Sequence, residues 1–254
     1  MFVFTKSGDY PLPTPTLSRV MNLFLLGAPF LPEAVAERIL RRHRFYQITN
    51  GEEQESSGEA QGVSSHKWDA LQIEKDLRGR SLLDLGCAEG FFCMQAARKG
   101  ARDVVGVESR FGPLLCATLL AHRERLRVRF KVGVFPHLAL GKQFDFVLCL
   151  SVLHHLTSSK DIWKVLSDPT FESDVKTLHH HLKALRALTA QGGRCVIEMP
   201  YEYEDEQSRQ TADFKRFCQE LTRAGFSSAT VVGSWEHAAH NRDRKDRIIY
   251  YAYA

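Results

Sequence analysis

Residues 82–92 read LLDLGCAEGFF, in which a mainly apolar run passes through small residues into a second apolar run. This pattern predicts a buried strand, a tight loop and the start of a helix. Gly86 and Gly90 allow the backbone to turn sharply and to approach a ligand, and Ala88 between them is nearly as small. The free N–H groups at the start of the helix suit a polar ligand. The loop is therefore a candidate cofactor site.

Two acidic residues frame this loop. Asp84 lies in the first predicted strand, and Glu108 closes the next one. A carboxylate at the end of the second strand can hold the two hydroxyls of a ribose, although it can also act as a helix-start carboxylate. A dinucleotide loop requires a third glycine to seat the helix, and Phe91 stands at that position. The loop thus departs from the dinucleotide pattern but keeps a ribose-binding carboxylate.

Short apolar segments alternate with helical segments from Ser81 onward. The alternation predicts an α/β fold, with a parallel sheet covered by helices on both faces. The predicted strands are 81–85, 103–107, 128–132, 144–150 and 194–199, and the predicted helices are 91–99, 113–124 and 176–188. A helix at 212–224 and two strands at 229–232 and 247–253 follow, and these strands predict an antiparallel closure. Residues 128–132 alternate apolar and charged side chains, which places their strand at an edge.

The segment before this alternation has a different character. Residues 31–44 show a helical pattern. Together with the apolar stretch 20–31, this pattern predicts that residues 1–50 form a helical cap or lid. Residues 51–65 are rich in Glu, Gln, Ser and Gly and predict a mobile linker. A helix is predicted from Lys67 to Leu77, and the α/β domain occupies residues 66–254.

Composition excludes several classes of protein. A chain of 254 residues, 44% apolar and with a net charge of +4, is an ordinary globular protein, and so small a surplus does not by itself indicate nucleic acid. The six cysteines form no C-x-x-C pair and are expected to be reduced, which predicts a cytoplasmic protein. The stretch 20–31 is shorter than the ~20 residues of a membrane span, and the first ten residues do not resemble a secretory signal.

The loop resembles the first motif of the class I S-adenosylmethionine-dependent methyltransferases, an acidic residue followed by G-x-G-x-G. Asp84, Gly86 and Gly90 match this motif, and Ala88 replaces the middle glycine. At that position we expect small size to matter more than a positive φ. The resemblance extends through residues 144–155 and the turn at Gly192-Gly193-Arg194. It implies a doubly wound, Rossmann-like sheet of seven mostly parallel strands with an antiparallel last strand, and S-adenosylmethionine as the cofactor.

A narrower resemblance is to the bacterial tRNA wobble-uridine carboxymethyltransferase group. It rests on Lys67-Trp68, Gly79-Arg80 and residues 100–108, and on Val152-Leu153-His154-His155, which is similar to the V-L-Y-H of that group. The basic pair that follows in that group is absent here, because Leu156 and Thr157 stand in its place. Neither the modified cofactor nor the tRNA substrate of the group is therefore carried over.

The class I resemblance implies that the cofactor-binding residues lie in or beside these motifs. They are Trp68, Asp84, Gly86, Cys87, Ala88, Glu89, Gly90, Glu108, Ser109 and Ser151. Trp68 has two readings, a hydrophobic anchor for the cap or a face against the cofactor. No metal site is expected, because neighbouring residues of the triplet at 179–181 point in different directions on a helix.

Acceptor residues are expected beyond the carboxyl ends of the fourth and fifth strands, where ligands of α/β sheets bind. This places Glu198 and Tyr201 as substrate residues. His154 and His155 are the catalytic candidates, because a histidine with a pKa of about 6.5 can accept a hydroxyl proton. In the alternative reading, the two histidines pack and cap the loop.

Three functions remain open. The first is a methyltransferase acting at oxygen on a small-molecule or glycan-like polar acceptor. The second is an RNA (tRNA) nucleoside methyltransferase, which predicts steeply salt-dependent binding. The third is a cofactor-binding scaffold without turnover, although an intact Glu108 argues against it. Arginine-rich groups such as Arg38, Arg41 and Arg42 suit a phosphate or carboxylate on an acceptor, or otherwise form solvated surface.

Overall fold

The computed structural model describes residues 3–4, 11–12, 14–43, 63–157, 162–202, 207–237 and 245–254. The chain divides into two compact units, Met1–Ala139 and Leu140–Ala254. Of the predicted linker, residues 51–62 lie outside the described residues, and the last three residues belong to a helix. No helix within the described ranges is both long enough and apolar enough to cross a membrane.

The first unit combines parallel strands with helices. Its strands are β1 (Val3–Phe4), β2 (Pro11–Leu12), β3 (Ser81–Leu85), β4 (Asp103–Glu108) and β5 (Val128–Val132). Its α-helices are α1 (Pro15–Gly27), α2 (Glu33–Arg42), α3 (Val63–Leu71), α4 (Phe91–Arg98) and α5 (Phe111–Arg123). β1 and β2 form a separate antiparallel pair, whereas β5, β4 and β3 are parallel and lie in that order. β5 thus ends the order, as its alternating pattern predicts.

The side chain of Asn22 on helix α1 hydrogen-bonds to the edge strand β5. The backbone N–H of Val132 donates to Oδ1 of Asn22 at 2.7 Å, and Nδ2 of Asn22 donates to the carbonyl of Val132 at 3.3 Å. The amide therefore pairs with Val132 as a neighbouring strand would. Thr14 caps the start of α1, because its hydroxyl accepts from the N–H of Leu17 at 3.2 Å.

Helices α1 and α2 share a core with α5. Ala28, at the end of α1, and Leu40 of α2 are buried in one cluster with apolar residues of α4 and α5. The unit thus buries one side of its N-terminal helices against the helix that follows Glu108. This packing brings the segment before the linker next to the helices that flank the motif loop.

The second unit contains the rest of the sheet. Its strands are β6 (Phe144–Leu150), β7 (Thr189–Glu202), β8 (Ser228–His237) and β9 (Lys245–Tyr253), and its α-helices are α6 (Ile162–Ser167), α7 (Glu172–Leu188) and α8 (Gln207–Arg223). The order is β6, β7, β9, β8, and β9 is antiparallel to both of its neighbours. The α/β fold class, with a seven-stranded and mostly parallel sheet, is thereby confirmed.

Strand β7 differs from its prediction. It begins at Thr189, five residues early, and includes the two glycines predicted as a turn. The register to β6 shifts between Phe144 and Phe146, and a Cβ at Gly193 would lie 2.8 Å from the carbonyl oxygens of Asp145 and Ala190. Gly193 therefore lies in a close approach of backbone atoms, whereas Gly192 has a φ of 71° and nothing within 4 Å of an added Cβ. The sequence reasoning also missed the short helix α6.

Candidate functional site

The motif loop between β3 and α4 turns through three left-handed residues. The φ angles of Gly86, Ala88 and Gly90 are 72°, 46° and 79°. The N–H groups of Gly86 and Cys87 both donate to the carbonyl of Val107 on β4, at 2.8 and 3.0 Å. Small size was expected to matter more than a positive φ at position 88, and the structure shows that this residue does adopt a positive φ.

Gly90 meets a second restriction. A Cβ at this position would lie 2.7 Å from two ring atoms of Phe130 and 3.2 Å from Cβ of Ala117. Contacts under 3 Å require the ring to move, and the φ of 79° itself disfavours any side chain. Gly90 therefore lets α4 begin directly against β5 and α5.

The carboxylate of Glu108 is held from both sides. Its Oε2 accepts from the N–H of Ala88 at 3.3 Å. Its Oε1 accepts from Oγ of Ser109 at 3.0 Å, and from N and Nε of Arg110 at 3.0 and 3.3 Å. Glu108 is 7% exposed. Within the described residues, Oε2 accepts only the Ala88 bond and can accept a ligand hydroxyl as well.

Asp84 lies beneath the loop on β3 and is buried. Burial raises its pKa from 3.8 to about 7. A hydrogen bond from Sγ of Cys93 to Oδ2 at 3.6 Å and the nearby charge of Lys67 act in the opposite direction, whereas the charge of Glu108 adds to the rise. The carboxyl group of Asp84 therefore ionises as the pH rises through neutrality. The affinity for a cationic ligand that favours the ionised form is expected to rise with it.

Glu89 joins the motif loop to the N-terminal helices. It is 1% exposed, and its Oε1 lies 2.9 Å from Nε2 of His43, the residue that ends α2. The imidazole donates this hydrogen bond in the tautomer or charge state that carries a proton on Nε2. The end of α2 is therefore fixed to a residue predicted to bind the cofactor.

Trp68 and Cys87 lie in apolar surroundings. The ring of Trp68 is buried, with its centroid 6.4 Å from that of Phe92 on α4. Among the described residues, its ring contact is with α4 and not with the cap, so both readings of Trp68, an anchor for the cap and a face against the cofactor, stay predictions. Burial raises the thiol pKa of Cys87 to about 11, so this thiol is an unreactive part of the packing.

In the second unit, Ser151, Glu198 and Arg247 form a polar cluster where β6 ends. Oγ of Ser151 donates to Oε2 of Glu198 at 2.6 Å, and the N–H of Ser151 donates to the carbonyl of Glu198 at 3.0 Å. Nε of Arg247 lies 3.5 Å from Oε1 of Glu198, and its Nη1 donates to Oγ of Ser151 at 3.4 Å. The cluster thus contains a fully buried carboxylate and a guanidinium that is 18% exposed.

The backbone of Ser151 is held in an unusual conformation. Its φ is 57°, in the left-handed region that costs a residue with a side chain about 1–2 kcal/mol. The hydrogen bonds to Glu198 maintain it. Such stored strain is common where a side chain must be aimed at a ligand.

The two candidate histidines follow in a short 3-10 helix, Leu153–His155. His154 is buried and His155 is exposed, and their ring centroids are 4.0 Å apart with a tilt of 42°. The pair therefore differs in access to solvent. This difference distinguishes their two proposed roles.

Tyr201 is placed in an aromatic cluster. Its hydroxyl donates to Oδ2 of Asp213 at 3.3 Å, and its ring centroid lies 5.1 Å from those of Trp163 and Phe214. Tyr201 is 5% exposed, so its contacts within the described residues are packing contacts. Its role as a substrate residue stays a prediction.

Residues 82–168 match the family model described as a methyltransferase domain. The chain is 28% identical over 200 residues to tRNA U34 carboxymethyltransferase of Methylococcus capsulatus. The aligned region covers 68% of this chain and 53% of that protein. It is 37% identical over 83 residues to ubiquinone biosynthesis O-methyltransferase of Azorhizobium caulinodans, which covers 32% of each. The chain thus matches between a third and about half of the length of these curated relatives.

Two solved structures resemble most of the chain. The N-terminal domain of EvdMO1 with SAH bound has a TM-score of 0.57 at 16% identity, covering 87% of this chain and 96% of that one. The bifunctional kinase-methyltransferase WbdD has a TM-score of 0.59 at 21% identity, covering 86% and 46%. At these identities the likeness shows a shared fold, which agrees with the motif loop and the family match.

The chain carries a class I methyltransferase domain. S-adenosylmethionine is the cofactor of this domain. Two residues of its candidate site were missed by sequence reasoning: His43 and Arg110. Arg110 adjoins Glu108, so its nearness could have been noticed, whereas His43 reaches Glu89 from a remote segment that carries no local signal. Arg247 belongs to a basic group that suits a phosphate or carboxylate on an acceptor, but its contact with Glu198 was not predicted. None of the described residues form a group of three or more with metal-binding side chains.

Proposed function

We propose that this protein transfers a methyl group from S-adenosylmethionine to an oxygen of a small or glycan-like polar acceptor. The observation that carries the proposal is the carboxylate of Glu108, held by the N–H of Ala88 in the motif loop and by Ser109 and Arg110. An oriented carboxylate with accepting capacity on Oε2 suits the hydroxyls of a ribose.

The residues of the first unit fit a cationic nucleoside cofactor. Bound S-adenosylmethionine would supply a methyl group whose leaving group is the neutral thioether, so that an acceptor positioned in line could receive it. Glu108 would hold the ribose, and the left-handed loop at Gly86, Ala88 and Gly90 would present its backbone to the ligand. Asp84, whose pKa is raised to about 7, would be ionised more fully beside a cation.

The residues of the second unit fit a hydroxylated acceptor. Arg247 offers donors and the hydroxyl oxygen of Ser151 offers an acceptor beside the buried carboxylate of Glu198, so the cluster can exchange hydrogen bonds with hydroxyl groups. A hydroxyl acceptor must lose its proton, and we assign its uptake to a ring nitrogen of His155. The exposed His155 can pass the proton on to water, whereas His154 packs against it as a positioning residue.

The test is transfer of labelled methyl from S-adenosylmethionine into a cell extract by the purified protein. Products are separated by size with and without ribonuclease, and Glu108→Ala serves as the inactive control. The proposal expects label in small molecules or glycans. Label that ribonuclease releases would overturn this acceptor class, and cofactor binding without any labelled product would favour the scaffold function.

The tRNA alternative is supported by one specific observation. The relative that covers 68% of this chain is a tRNA U34 carboxymethyltransferase. An RNA acceptor predicts binding of tRNA that weakens steeply with salt, since contacts to phosphates release counterions. Binding that is absent at low salt would remove this alternative.

A further inference from the structure

The exposed apolar side chains of the described residues are concentrated in one segment. Nine large hydrophobic residues are exposed, and all but Val231 lie between positions 17 and 35. They are Leu17, Val20, Leu23, Phe24, Leu26, Phe30, Leu31 and Val35. We refer to these eight residues as the α1 surface. Exposed apolar residues are normally scattered, so such a concentration indicates an interaction site.

Helix α1 is apolar on its outer side as well as its inner side. The inner side buries Leu25 against the unit, and Asn22 reaches β5. On the outer side, Leu23 is 69% exposed and Leu26 is 73% exposed, and Phe30 in the turn that follows is 87% exposed. A surface helix normally carries polar residues on its outer side. These side chains are therefore accessible to a binding partner.

A groove adjoins these projecting side chains. It encloses about 480 Å³. Residues of α1 and the following turn line it together with Phe111 and Leu115 of α5. Its lining is almost wholly apolar, which suits an acyl chain. Phe111 follows directly after Arg110, so the groove begins close to the Glu108 site within the first unit.

The charges identify the occupant. Between positions 14 and 32, Arg19 is the only charged residue, and it lies one turn before Leu23 on the same side of the helix. Helix α2 adds the exposed Arg38 and Arg42. Over positions 14–42 the chain carries four arginines and two glutamates, so in a symmetric dimer, where the same patch meets itself, two surfaces of net positive charge would face each other. An anionic lipid surface instead supplies phosphates for the arginines and acyl chains for the leucines.

We propose that the α1 surface docks the protein on anionic phospholipid membranes. Leu23, Leu26 and Phe30 enter the boundary between headgroups and acyl chains, and Arg19 contacts lipid phosphates. This is peripheral binding by an interfacial helix, since no described helix is long and apolar enough to cross the bilayer. The inference goes beyond the proposed function and does not depend on it.

The experiment is cosedimentation of the full chain with phosphatidylcholine vesicles, with and without phosphatidylglycerol. We expect binding to the vesicles that contain phosphatidylglycerol and a loss of affinity of about tenfold or more in Leu23→Ser/Phe30→Ser. Val231→Ser is the matched control, because Val231 is exposed but lies on β8. Since all three residues are exposed, the thermal unfolding of each variant should match that of the parent protein.

Several results would overturn the inference. These are no sedimentation of the parent protein, equal binding by the double variant, and equal binding to vesicles of phosphatidylcholine alone. A dimer in analytical ultracentrifugation that the double variant dissociates, with no vesicle binding, would assign the surface to a second copy instead. Arg19→Gln should weaken binding at low salt and flatten its salt dependence, and an unchanged salt dependence would contradict the charge argument.

Discussion

At the scale of single residues, Ala88 is the departure from the motif that matters most to the backbone. Its φ of 46° lies in the left-handed region, where an alanine is strained and a glycine is not. Ala88→Gly is expected to raise the free energy of unfolding by about 0.5–1 kcal/mol, because relief of strain outweighs the greater freedom of the unfolded glycine. Urea denaturation measures the change.

The matched control is Ala97→Gly in the last turn of α4. A glycine there is expected to lower the free energy of unfolding by about 0.5–1 kcal/mol. Destabilisation by both substitutions would show that the loop does not strain Ala88.

Glu108 carries the predicted ribose contact. Glu108→Ala should lower the affinity for S-adenosylmethionine by about 10- to 100-fold, as expected for lost hydrogen bonds to a charged group. Calorimetric titration measures the affinity, and circular dichroism tests that the fold is retained. Glu124→Ala, which removes a surface carboxylate paired with Arg98, is the control and should bind normally. An unchanged affinity in Glu108→Ala would exclude the ribose role.

Asp84 gives the stability a pH dependence of unusual sign. Its folded pKa of about 7 exceeds the ordinary value of 3.8, so between these values the folded protein binds more protons than the unfolded chain. The contribution of Asp84 to the free energy of unfolding therefore falls as pH rises from about 4 to 7, by up to about 4 kcal/mol.

Asp84→Asn should remove this part of the pH dependence. Urea denaturation of both proteins at pH 5 and pH 8 measures the difference, and the variant should lose less stability between the two values. A parent and variant with the same dependence would show that Asp84 is ionised in the folded protein throughout this range.

At the scale of elements, the contact between α1 and β5 depends on one amide. Asn22→Ala leaves the N–H and carbonyl of Val132 without this partner and should lower the free energy of unfolding by about 1–2 kcal/mol. Hydrogen exchange at the Val132 amide should accelerate. Ser18→Ala on the same helix is the control. An unchanged exchange rate in Asn22→Ala would show that other contacts hold α1 in place.

Elements that local sequence patterns specify were predicted accurately, and elements that depend on tertiary contacts were not. β3, β5 and β6 agree with their predicted bounds, because β3 and β6 are mainly apolar runs and β5 alternates apolar and charged residues. β7 was predicted too short, since glycines ordinarily end a strand. Here Gly193 continues the strand because the backbone at Asp145 approaches it closely, and that approach is a tertiary contact.

At the scale of the whole molecule, the proposed transfer to a hydroxyl oxygen requires a proton acceptor in addition to the cofactor site. His155→Gln should lower kcat by about 100-fold or more without changing the affinity for S-adenosylmethionine. His154→Gln should chiefly lower the free energy of unfolding, because His154 is buried. His137→Gln, at an exposed position of the first unit, is the control. Full activity of His155→Gln would remove the proposed base.

The sequence by itself determined the α/β class, the motif loop and the position of Glu108, because each depends on local patterns of burial and on residues adjacent in the chain. The tertiary structure alone decided that Ala88 is left-handed, that His43 contacts Glu89, and that Arg247 contacts Glu198. The two contacts join segments 46 and 49 positions apart, and such pairs depend on the path of the backbone between them. The sequence periodicity of either segment does not predict this backbone path, because packing against residues distant in the sequence determines it.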